Sequence, residues 1–165
     1  MNKKEKIILA VLGVLVLAAA ITVAVLAGNR QPQYVQGQFT PPPFAEGTVV
    51  GTPENLDPAL GYGTLNLDGS AVSLCANTTI VNGKAQLYLT NAADNIGWVR
   101  IKLYSADGTQ LGQSGLVRPG EYIRWIDLDT VPGSAGLAVI KIMLYEPETY
   151  YSLGSATAQV MLLPQ

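Results

Sequence analysis

From Ser70 to the end of the chain, apolar residues return at every second position. Only an extended strand turns that spacing into one buried face. Ala85, Leu87 and Leu89 alternate with Lys84, Gln86, Tyr88 and Thr90, and Val99, Ile101 and Leu103 with Arg100, Lys102 and Tyr104. Leu111–Val117 gives a weaker strand and Tyr122–Leu128 another. Ala138, Ile140, Ile142 and Leu144 form the next row, and Ala156, Ala158, Val160 and Leu162 the last. Turn dipeptides stand between the rows: Asn82-Gly83, Asp107-Gly108, Pro119-Gly120 and Pro132-Gly133. No stretch after residue 30 sustains a helical period. About seven short strands with regular turns predict an all-β fold, a β-sandwich with one buried face per strand. A domain of about 120 residues buries enough surface to hold together without a disulfide.

The chain ahead of this region obeys different physics. Residues 7–27 (IILAVLGVLVLAAAITVAVLA) are an unbroken apolar run of 21 residues. As a helix the run measures about 31 Å, the thickness of a bilayer's hydrocarbon core. In lipid the backbone must satisfy its own hydrogen bonds, which selects helix. Lys3, Lys4 and Lys6 precede the run and only Arg30 follows closely. The positive-inside rule then puts residues 1–6 in the cytoplasm and everything after about residue 30 outside, a single-pass cell-membrane topology. A cleaved signal peptide ending at Val25-Leu26-Ala27 is the alternative, although the run is longer than a usual signal core; either reading exports the same domain. Residues 28–44 are rich in Gln and Pro and end in Pro41-Pro42-Pro43-Phe44. They read as an extended linker. Residues 45–165 form the exported domain, with residues 45–69 read as loops plus one short edge strand near Thr48–Val50.

Composition narrows the chemistry. The net charge is −2, with no basic stripe, so nucleic acid is not an expected partner. Histidine is absent, and with it the commonest general base and metal ligand. One cysteine, Cys75, excludes an internal disulfide; on its strand it reads as a small buried hydrophobe, with a disulfide to a partner chain as the alternative. Ser114 sits in Gly112-Gln-Ser-Gly115, which lacks the spacing of a nucleophile elbow. The carboxylate pairs Asp127/Asp129 and Glu146/Glu148 have no calcium-loop spacing and read as strand ends and turn caps. Asn77-Thr78-Thr79 matches a glycosylation sequon. The chain is therefore expected to be no enzyme, to carry no catalytic residue, and to need neither metal nor cofactor.

A set of local features carries a resemblance: Asn77-Thr78-Thr79, Leu89-x-Asn91, Val99–Leu103, Gln113-Ser114-Gly115-Leu116 with Pro119-Gly120 and Ile123, a strand ending in Tyr145, and Ala158-x-Val160. In these the stretch Ala76–Leu163 resembles small membrane-anchored surface proteins of Gram-positive bacteria. The resemblance implies an Ig-like β-sandwich outside the cell, and it assigns no activity.

The remaining functional signal is aromatic. Trp98 and Tyr104 fall opposite the apolar row of their strand, Trp125 falls opposite Ile126 and Leu128, and Tyr150 and Tyr151 lie in a late loop. Aromatic platforms anchor interfaces and stack on sugars. The expected role is a membrane-tethered structural or interaction module. It would contact the bilayer through residues 7–27 and another surface or membrane protein through loops or a strand edge. A carbohydrate-binding module for cell-wall or host glycan is the alternative.

Overall fold

The computed structural model describes residues 39–67 and 69–165. The chain divides into two units, Met1–Thr40 and Pro41–Gln165. The second carries every strand among the described residues. Residues 7–27, where the sequence places a spanning helix, lie outside the described residues, as does most of the linker. Among the described residues no helix is long and apolar enough to cross a membrane.

Ten strands form in Pro41–Gln165. They are β1 (Val49–Val50), β2 (Tyr62–Leu67), β3 (Ser70–Cys75), β4 (Asn77–Val81), β5 (Lys84–Asn91), β6 (Trp98–Ser105), β7 (Gln110–Gln113), β8 (Glu121–Asp127), β9 (Gly136–Tyr145) and β10 (Ser152–Pro164). The fold is all-β, and the short edge strand at Val49–Val50 falls where the sequence put it. Two features went unread. Tyr62–Leu67 is a strand rather than a loop, because it pairs along its whole length with β3, from Tyr62↔Cys75 to Leu67↔Ser70. The Leu111–Val117 strand ends early at Gln113, and Leu116 and Val117 make only isolated bridges beyond it.

The turns follow local chemistry. Asn82 and Gly83 both have positive φ, 51° and 74°. That is the backbone of a tight primed hairpin turn, and it sets β4 against β5. At Asp107-Gly108, the Ser105 hydroxyl and the Thr109 N–H donate to the Asp107 carboxylate and hold it below the usual carboxylate range.

Pairing is continuous. The strand order is β1-β8-β5-β4-β10-β9-β6-β7, with β3 joined to β5 and β2 to β3. β10 makes the sheet curl. It runs antiparallel to β9 from Ser152 to Leu162, then turns to pair parallel with β4 through Met161–Pro164. At the far end the sheet returns on itself: Gly112 of β7 bridges Leu128, and the Asp129 N–H donates to the Leu111 carbonyl at 2.8 Å. A Cβ on Gly112 would lie 2.6 Å from the Asp127 carbonyl oxygen, so this closure requires glycine.

The curl encloses one core. Leu87 and Leu89 of β5, Ile101 and Leu103 of β6, and Ile140 and Ile142 of β9 are fully buried in the same cluster. These are the residues that the period-two rows marked as inward-facing. Each such side chain contributes about 1.5–3 kcal/mol by leaving water. The folded unit also takes in the last residues of the segment read as linker. Pro43, Phe44 and Ala45 run beside Leu116, with the Ala45 N–H on the Leu116 carbonyl and the Leu116 N–H on the Pro43 carbonyl, each at 2.9 Å.

Candidate functional site

A break in the alternation positions the site. In β8 the buried isoleucines, Ile123 and Ile126, are three residues apart instead of two. The register of β5 against β8 shifts at the same place: Gln86 pairs with Trp125 and Leu89 with Ile123, leaving Leu87 and Tyr88 opposite Arg124 alone. This is a β-bulge, a device that re-aims side chains. Tyr88 takes a left-handed backbone, φ 47°. For a residue with a Cβ that conformation costs about 1–2 kcal/mol.

The strain serves to assemble a cluster. Arg124 is exposed, and its guanidinium carbon lies 5.4 Å from the centre of the Tyr88 ring and 5.1 Å from that of Trp125. Tyr122 lies 6.4 Å from Tyr88, ring to ring. The Gln86 side-chain oxygen, in the orientation that satisfies its amide, accepts from Arg124 Nη2 at 3.1 Å and Nε at 3.2 Å. The guanidinium is thus oriented by two hydrogen bonds and by two rings, each ring an attractive contact for a cation.

Beside this cluster lies a groove of about 490 Å³. Its far wall is the Glu54–Leu60 segment and its floor includes Thr79 and Val81. The wall is fixed in place. Asp57 caps a short 3-10 turn (Pro58–Leu60) by accepting from the Ala59 N–H, and the Asn77 side chain donates to the Ala59 carbonyl at 2.8 Å. The sequon asparagine therefore holds the groove wall. Tyr88, Arg124, Trp125 and Glu54 together offer ring faces, a cation and an acceptor: the means to bind and orient a ligand.

The aromatic residues singled out by sequence do not form one platform. Trp125 belongs to the groove. Trp98 and Tyr150 come together elsewhere, with ring centres 5.3 Å apart, and Trp98 also packs edge-on against Phe44 at 4.8 Å. Arg118 covers the other ring of that group, 3.7 Å from the centre of Phe44. Both Trp98 and Tyr150 are half-buried, and they pack edge-to-face within this group. Tyr104 is half-buried on β6, opposite Val139, apart from both groups. Tyr151 is 73% exposed at the β9–β10 turn. Sequence reasoning missed Tyr88, Tyr122 and Arg124. The signal available was the three-residue spacing of Ile123 and Ile126 within a strand.

The other candidates have structural occupations. Ser114 is buried, and its hydroxyl accepts the Ile101 N–H at 2.9 Å, replacing a strand partner. Asp127 pairs with Lys84 across β5 and β8 at 2.8 Å, on the surface. Glu146 accepts from the Thr149 hydroxyl within its turn. Among the described residues no group of three or more potential metal ligands converges. Cys75 stands at the end of β3. It is completely buried, and burial pushes its thiol up to about 11. A disulfide to a partner chain would require this part of the sheet to open.

The fold is an all-β module in which Arg124 is set between the Tyr88 and Trp125 rings beside a groove. Compared with protein-family models and with curated proteins, the chain matches none.

Proposed function

We propose that the chain is a membrane-tethered interaction module. Residues 7–27 cross the cell membrane with the N-terminus in the cytoplasm, the Pro/Gln-rich segment spaces the domain from the bilayer, and the β unit, an Ig-like sandwich, presents the Arg124 groove to another surface or membrane protein. The observation that carries this reading is the Tyr88 bulge. A tyrosine held in a costly backbone conformation, stacked with an oriented arginine beside a fixed wall, is a recognition surface prepared before its ligand arrives. The apolar run, the lysine asymmetry and the resemblance to Gram-positive surface proteins support the tether and the outward topology.

Two variants test the site. Arg124→Ala and Trp125→Ala each lower partner affinity by about 2 kcal/mol or more, roughly thirtyfold in Kd. The measurement is quantitative co-purification of membrane partners from detergent extracts. Unchanged recovery with both variants rejects the groove as the interface. Glycan is the second reading, favoured by the two ring faces flanking a planar donor in the groove. Glycan-array binding lost in the same two variants would select it. Topology is checked on intact cells: protease must reach residues after 44 without lysis.

A further inference from the structure

We propose that the open side of β10 is a self-pairing edge, and that two copies of this chain join β10 to β10, antiparallel, about a two-fold axis at Thr157. On one side β10 is paired with β9 along its length; on the other it is paired with β4 only from Met161 onward. From Ser155 to Val160 no strand among the described residues occupies that second side. The nearest strand there, β2, stands across a cleft that Asn66 and Leu67 line from one side and Leu153, Ser155 and Ala156 of β10 from the other.

The direction of the free groups follows from the ladder. The Met161 N–H donates to the Ala76 carbonyl and the Gln165 N–H to the Ile80 carbonyl, both on the β4 side. Residues alternate along a strand, so the N–H and C=O of Ser155, Thr157 and Gln159 face the same way, toward the open side. The side chains of these three residues are exposed. The inward-facing Ala156 and Ala158 between them are small.

Natural edge strands are usually protected by lysine, proline, inward charge or a bulge. Here the β10 bulge, at Ser152/Gly154, precedes the open run, and Pro164 follows it. Ser152–Gln165 contains no charged residue at all. Self-pairing places each residue against its mirror in the other copy, so a charged edge would set like against like. This edge carries no such penalty, and centred on Thr157 it is self-complementary. Thr157 meets Thr157, Ser155 meets Gln159, and Ala156 meets Ala158. All three outward residues fall in hydrogen-bonded pairs, about six new backbone hydrogen bonds in total. Threonine opposite threonine is a favourable cross-strand pair. An unrelated strand would need pockets to select it, and this row of short polar side chains offers none. The two-fold arrangement uses both edges at once and closes as a dimer rather than a fibre. The inference rests on the interaction-module reading in one respect: tethering in a bilayer raises the effective concentration that such a small interface needs.

The test uses the full-length chain in lipid vesicles, where flotation reports the tether separately. Thr157→Cys places two thiols on a hydrogen-bonded pair with Cα atoms about 5.5 Å apart, within the range of a disulfide. Mild oxidation is expected to give a covalent dimer at least about tenfold more abundant than Ser155→Cys alone, whose mirror position faces residue 159. A mixture of Ser155→Cys and Gln159→Cys chains should restore cross-linking. Thr157→Lys should abolish dimers of the otherwise unmodified chain, with its circular dichroism unchanged. The proposal is overturned if Thr157→Cys cross-links no better than Ser155→Cys, or if Thr157→Lys still dimerises. Failure of flotation with cross-linking intact would count against the tether alone.

Discussion

Gly115 shows how much a single residue can decide. A Cβ there would lie 2.5 Å from the Ala45 nitrogen and 2.7 Å from the Phe44 carbonyl carbon, so the strap of residues 43–45 crosses directly over it. Backbone cannot step aside as a side-chain tip can. Gly115→Ala should cost about 1–3 kcal/mol, read as a lower denaturation midpoint. Cys75 makes a pH prediction. Its thiol is raised from the ordinary 9.0 to about 11, so the folded state keeps a proton that the unfolded chain gives up first. That stabilisation is complete below pH 9 and fades as pH rises toward 11. Wild type minus Cys75→Ala, compared by chemical denaturation across this window, should show the loss. At this scale the sequence was partly legible. The rows Leu87/Leu89 and Ile140/Ile142 named the core correctly, since burial follows from period two. Gly115 and Arg124 were not readable, because their constraints come from segments far away in the chain.

The elements show where alternation stops being a reliable guide. β5 keeps its inward row through the bulge, whereas β8 breaks its own to put both Arg124 and Trp125 outside the core. β2 escaped notice because its glycine and asparagine mask the leucines at 65 and 67, and its pairing with β3 supplies what propensity does not. The connection after β5 is fixed by two buried amides. Asn91 donates to the carbonyls of Gly97 and Val117, each at 2.9 Å. Asn95 donates to Asn91 Oδ1 at 2.6 Å and exchanges hydrogen bonds with the Ala71 backbone. Asn91→Ala removes the donor to the Gly97 carbonyl and the acceptor for Asn95, and leaves the Val117 carbonyl with the Val99 N–H alone. It should destabilise the unit by about 1–3 kcal/mol, with faster hydrogen exchange at residues 91–97 as the local signature.

Across the whole molecule the curl joins both halves of the sheet to a single core. Ile142→Ala should therefore cost about 2–5 kcal/mol and leave one cooperative denaturation transition. Hydrogen exchange in β5 should then accelerate together with that in β9, although the two strands are not paired. Separate transitions would contradict the single core. The two-sheet picture drawn from sequence had the right class and the right inward rows. It could not foresee that β10 would serve both halves, since a strand's partners are not written in its own alternation. The crossing of residues 43–45 over Gly115 has a mechanical consequence. The strap lies parallel to the stretch it grips, so tension arriving along the backbone at Pro43 pulls in line with that contact. Its hydrogen bonds then bear the load together in shear instead of unzipping one after another. A module hauled by its leading end would yield late and abruptly.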